Sequence, residues 1–249
     1  MLSQQLIDGH ADRLRATAKA FADEASEPVG QILNEVVSYL GKERKNPKTL
    51  VDLPKFVERS IARSGYYSVG VAFASDLTSQ IDEFFGLYSE MRHDLPVLEF
   101  STAHAEQLTE HAVAAASVIE AEASNVVTNI VRSMAHSMGV SDAGRVVRGV
   151  SEDISRLARV EPIFLEQSIL YFRNVGRLFY SALEQNVGLQ RYLYVGPNGK
   201  AKRDFCKDLI GQGKTHTMAD VLAMDNGQVG DALVSCGGHG CMHWWAVAP

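Results

Sequence analysis

The sequence predicts a mainly α protein: a long helical N-terminal body followed by a small, loop-rich α+β module. Three observations predict it. Apolar residues recur at three- and four-residue steps over much of residues 66–183. Proline is absent from Val97 through Glu161. All three cysteines (Cys206, Cys236, Cys241) and both tryptophans (Trp244, Trp245) fall in the last 44 positions, and glycine is dense from Gly196 onward. The division implied is a body over 1–187 and a compact module over 188–249.

In chain order, Leu14, Ala18, Phe21 and Ala25 fit one helix, and Ile32, Val36, Val37 and Leu40 fit another. Pro28 and Gly30 are expected to break the pattern between them. The run 41–54 contains Pro47 and several lysines and reads as an exposed linker. Tyr66, Val69, Phe73, Leu77, Ile81, Phe84 and Tyr88 share one helical face. Leu108, Ala112, Ala115, Ile119, Ala123, Val126, Ile130 and Met134 form a second stripe, whose alanines let a neighbouring helix approach closely. The turn chemistry of 139–149 offers Ser141 or Ser151 as a cap for a following helix. A third stripe holds Ile154 and Leu157, breaks near Pro162, and resumes at Leu165, Ile169, Phe172, Leu178, Phe179 and Leu183. Proline lacks an N–H, so a kink or a fresh helix start is expected there.

The module opens on a β-prone run, Tyr192-Leu193-Tyr194-Val195, then the turn signal Gly196-Pro197-Asn198-Gly199. Phe205 and Leu209 have helical spacing, and Thr217 can cap a short helix over 217–224. The end, Cys236-Gly237-Gly238-His239-Gly240-Cys241-Met242-His243-Trp244-Trp245, reads as a glycine loop entering a final strand.

Composition bounds the function. The chain has 249 residues and a net charge of −6. Residues 1–190 carry 18 basic and 25 acidic side chains, and 191–249 carry 6 and 5. Neither part has the basic excess of a protein whose main task is holding nucleic acid. Lys200, Lys202, Arg203 and Lys207 make a local basic patch that reads as a solvated turn. No apolar run is long enough to cross a bilayer, and the charged start MLSQQLIDGHADRLR is not that of a signal peptide.

Five potential metal ligands crowd into the module: Cys206, Cys236, His239, Cys241 and His243. Zinc takes four such donors in a tetrahedron, and a small module gains from that staple. The preferred set is Cys206, His239, Cys241 and His243, with Cys236 as substitute. On an extended strand 239, 241 and 243 share a face, but 239 and 243 then lie about 13 Å apart. The chain must bend at its glycines for both to reach one ion. Buried cysteines packed as small core residues, or a Cys206–Cys241 disulfide, are the competing readings.

Enzyme signatures are missing. There is no H-E-x-x-H, no G-x-x-x-x-G-K-[ST] and no G-x-S-x-G. His104-Ala105-Glu106 matches half of the zinc deaminase pattern without its P-C-x-x-C half. Gly211-Gln212-Gly213-Lys214-Thr215 lacks the first glycine of a phosphate loop. A Cys206–His243 nucleophile pair has no third residue or oxyanion signature to support it.

The module resembles that of the minor head (head morphogenesis) proteins of tailed bacteriophages of the Mu type. The resemblance is carried by Arg203-Asp204-Phe205-Cys206, Leu209 and Gly211, Gly237-Gly238, and Cys241-Met242-His243-Trp244-Trp245, with Phe172 to Tyr194 as the preceding helix. Met242 stands where arginine is usual. The resemblance covers about residues 165–249. It implies a non-enzymatic structural component of the phage head near the portal vertex, found in the virion and, during assembly, in the host cytoplasm. The implied partners are the portal protein or the major capsid protein, with weak contact to packaged DNA and none with membrane. The rival functions are a zinc-dependent virion hydrolase or nuclease, and a DNA-associated protein packaged in the head.

Overall fold

The computed structural model describes residues 4–43, 47–89, 101–137, 143–197, 199, 201, 203–228 and 230–248. The chain is mainly α with a small three-stranded sheet near the C-terminus. In order come α1 (Gln4–Glu43), α2 (Pro47–Arg63), α3 (Tyr66–Ser79), α4 (Ile81–Ser89), α5 (Thr102–Ser137) and α6 (Ala143–Ser155). After a 3-10 turn at Arg156–Ala158 follow α7 (Glu161–Val187), β1 (Arg191–Val195), α8 (Asp204–Gln212), β2 (Thr215–Thr217), α9 (Met218–Ala223), α10 (Ala232–Ser235) and β3 (Trp244–Val247). Among the described residues no helix is long and apolar enough to cross a membrane.

Two readings of the N-terminal part are corrected. Pro28 and Gly30 do not divide α1, which runs through both. A proline inside a helix costs about 3 kcal/mol. Here Ile7, Ala11, Leu14, Ala18, Ala22, Ala25, Val29, Ile32, Val36 and Leu40 are all buried on one stripe, and their burial outweighs one missing hydrogen bond. The segment 41–54 is not an exposed linker. Residues 44–46 lie outside the described part, but α2 begins at Pro47, where a fixed φ suits the first helical position. Leu53, Val57 and Ile61, at four-residue steps, are fully buried. The stripes of α5 and α7 follow the sequence expectation, the single face read over 66–88 is divided between α3 and α4, and Pro162 sits at the start of α7. The side chain of Met134, and Ser141, lie outside the described residues; Ser151 is inside α6 and caps nothing.

The chain packs as two compact units that cut across the sequence division at residue 188: one holds 1–17, 75–112 and 165–249, the other 18–74 and 113–164. In the second, Phe73 meets Phe21 and Phe164 edge-on at 5.2 and 4.7 Å. The buried Tyr66 hydroxyl donates to the Leu157 carbonyl at 3.2 Å, and Gly70 brings its backbone close to Ala116 and Ile119.

In the first unit Tyr88 stacks on Phe172 at 4.8 Å and donates to the Phe172 carbonyl at 3.3 Å. Gly176 makes room for it, since a Cβ there would overlap the Tyr88 ring. Arg13 pairs with Glu83. The sheet order is β2-β1-β3, antiparallel throughout, with Tyr192 opposite His216 and Tyr194 opposite Trp245. No tight hairpin links β1 to its neighbours, because α8 intervenes before β2; Asn198 is outside the described residues. Strand alternation turns Tyr192 and Tyr194 inward. The Trp245 indole donates to the Ala232 carbonyl at 2.9 Å, and the Tyr180 hydroxyl donates to the Trp245 carbonyl. Thr217 caps α9 with a reciprocal capping box to Asp220.

Candidate metal centre

Three segments converge on the inner side of the sheet. Helix α8 carries Cys206 one turn from its start, the loop before β3 carries Cys241 and His243, and β1 carries Tyr194. Among the described residues, Cys206, Cys241 and His243 form a buried group whose ligand atoms all lie within 4.8 Å of one another. The Cys206 and Cys241 Sγ atoms are 3.6 Å apart, and Cys241 Sγ is 3.4 Å from His243 Nδ1. Zinc bond lengths of roughly 2.3 Å to sulfur and 2.0 Å to nitrogen at tetrahedral angles require spacings of about 3.8 and 3.5 Å. Two of the three donor spacings therefore match those around a zinc ion.

Of the four residues preferred from sequence, His239 does not join. Its side chain is 75% exposed, and its Nδ1 pairs with Glu166 at 3.2 Å. The expected bend at the glycines is present, since β3 starts only at Trp244, but it does not carry His239 to the cluster. The chain before β3 is a bent loop with positive φ at Cys236, Gly238 and Gly240. That bend brings 241 and 243 to Cys206 and leaves 239 outside. Cys236 is fully buried, its Sγ 3.6 Å from the Leu233 carbonyl, and it is outside the three-residue group. All three thiols are free.

Two glycines shape the pocket. A Cβ at Gly237 would overlap Cys206 Sγ and stand 2.9 Å from Cys241 Sγ, and one at Gly196 would overlap the His243 ring. The His243 Nε2 atom is buried with no hydrogen-bond partner among the described residues.

Arg173, on α7, was not foreseen as part of the site. It is 3% exposed and donates only to backbone carbonyls: Val234, Ser235, Cys241 and His243. Its charge needs anions nearby. The Cys241 thiol is pulled well below the ordinary range by a hydrogen bond from Cys206, with His243 and Arg173 adding to the effect. Its partner Cys206 moves the other way, mainly because it supplies that proton, and burial pushes it further. Burial pushes Cys236 up to about 12, so it stays a neutral thiol. The thiolate is the form that ligates a metal, and of the three thiols Cys241 is the one held towards it.

Arg203 and Trp244, two residues that carry the resemblance, make contacts within the chain. Arg203 donates to the carbonyls of Gly237 and, at 2.8 Å, His239. Trp244 is buried edge-on to Phe172 at 5.3 Å. Of the basic patch, Lys200 and Lys202 lie outside the described residues, and Lys207 pairs with Asp204 at 3.2 Å. One side of the cluster faces a cleft of about 340 Å³ that Arg15, Leu165, Arg203 and Met242 also line.

No family model matches the chain, and comparison with curated proteins and with solved structures returns no match.

Proposed function

We propose that this protein is a structural, non-enzymatic component of a tailed-phage head, of the minor head type, whose C-terminal module is closed by one structural zinc ion. One observation carries the reading: three residues of the resemblance, Cys206, Cys241 and His243, meet in a buried group that ties α8 to the loop before β3. A metal bridging segments 35 residues apart in sequence restrains the module as a cross-link does. The site is in the virion and, before that, in the host cytoplasm, and the partners are portal or major capsid subunits. The net charge of −6 is consistent with weak contact to packaged DNA.

Metal analysis of the purified chain should find one zinc per chain, and chelation should lower the unfolding midpoint. Cys206→Ser should then lose folded protein. When the chain is expressed with portal and capsid proteins of the phage type it resembles, it should sediment with assembled heads in few copies. A chain that stays soluble and free of every head particle overturns the reading.

The cleft beside the cluster favours a second reading, a zinc hydrolase or nuclease acting there. It requires that His243→Ala keep the fold and lose turnover of a phosphodiester or peptide. For the DNA-associated alternative the mark is binding that weakens steeply with salt.

A further inference from the structure

Three ligands leave one position of a zinc tetrahedron to be filled. The Tyr194 ring is buried, stacked on His243 with centroids 5.6 Å apart and edge-on to Trp245 at 4.9 Å and Phe205 at 5.8 Å. Those contacts hold its hydroxyl 3.5 Å from Cys206 Sγ and 3.6 Å from Cys241 Sγ. Oxygen and sulfur donors to one tetrahedral zinc stand about 3.5 Å apart. The hydroxyl thus lies where the fourth donor belongs, astride the two sulfurs.

We propose that Tyr194 is the fourth ligand, binding as phenolate to a metal held by Cys206, Cys241 and His243. The assignment rests on the metal reading above. On binding, the Tyr194 O–H bond and the remaining Cys206 S–H bond break heterolytically, their electron pairs go to the metal, and both protons leave to the buffer; nothing is oxidised or reduced.

The test is zinc titration of the full chain, stripped of metal, against Tyr194→Phe and Cys236→Ala. Phenylalanine keeps the ring contacts and removes only the oxygen. The expected results are a phenolate absorption band that grows with zinc in the wild type, and an affinity lowered about 10- to 100-fold in Tyr194→Phe. Calorimetry in two buffers should count one proton fewer released by that variant. Wild-type protein that binds zinc without a phenolate band overturns the assignment, even if Tyr194→Phe fails to fold. So does a variant with unchanged affinity and proton count, which leaves the fourth place to water from the cleft. Weakened binding in Cys236→Ala with unchanged Tyr194→Phe gives the place to Cys236 instead. A wild-type chain that binds no zinc overturns the metal reading itself.

Discussion

Arg173 donates twice to the carbonyl of His243, from Nε at 3.2 Å and from Nη2 at 3.0 Å. Its Nη1 reaches the Val234 carbonyl at 2.9 Å and that of Ser235 at 3.3 Å. One side chain on α7 therefore fixes the path of the whole loop from α10 to β3. The ligand geometry depends on that path, although Arg173 is distant in sequence from every ligand.

Replacing Arg173 with methionine should cost about 3–5 kcal/mol, since several buried carbonyls lose their donor at once. Arg173→Lys should recover only part of this, because an ammonium cannot span carbonyls set around a planar fork. Urea unfolding midpoints of the two variants check the order.

His10 should give the protein an acid-sensitive stability. Its ring is buried among Phe84, Phe172 and Trp244, and neither nitrogen has a hydrogen-bond partner among the described residues. Burial, with a smaller contribution from Arg13, holds its pKa at about 3 against an ordinary 6.5. Above 6.5 both states carry a neutral ring and nothing is lost. As pH falls from 6.5 towards 3 the unfolded chain takes up a proton that the folded one refuses, so stability drops by about 1.4 kcal/mol per pH unit. His10→Leu should flatten the curve by that one proton, which urea unfolding between pH 7 and 4 measures.

Gly237→Ala should disturb the cluster through bulk alone, because its backbone is not in the left-handed region. The added methyl meets Cys206 and Cys241, with an expected loss of about 1–3 kcal/mol and weaker zinc binding. Gly240→Ala, whose Cβ would enter open space at φ 68°, should cost about 1–2 kcal/mol of backbone strain and leave zinc affinity unchanged. Paired unfolding and zinc titrations separate the two.

Thr217→Ala removes the cap of α9 and should cost about 1 kcal/mol. The Thr217 backbone N–H, at 2.8 Å, also holds the Asp220 carboxyl below its ordinary value. That contribution is present above the ordinary carboxylate range and is lost as pH falls through the lowered value. Alanine keeps that N–H and loses only the smaller side-chain part of the effect, so the variant's thermal deficit should shrink slightly in acid.

The long helices were legible because a 3.6-residue period needs only the side chains themselves. Pro28 and the 41–54 run misled for one reason: local breakers count for little once Val29, Ile32 and Leu53 are buried. Strand β1, the Thr217 cap and the final strand were readable from local chemistry. Which ligands converge was not. Inclusion of Cys241 and His243 but not His239 depends on the positive φ angles of a loop, and a sequence pattern carries no such angle. Tyr194 read only as a strand residue. Arg173 did leave a signal, a lone cation between the buried Phe172 and Val175, but its carbonyl partners lie more than sixty positions downstream.

Strand β3 is the last described element to be synthesised, yet it pairs with the central strand and brings the tryptophans with it. The ribosome therefore releases every earlier piece before the part that locks them arrives. A chain cut short anywhere ahead of Cys241 lacks the Trp245 that faces Tyr194 across the sheet and has an unclosed thiol site. Such a product should be degraded faster than the intact chain, which limited proteolysis of the two measures.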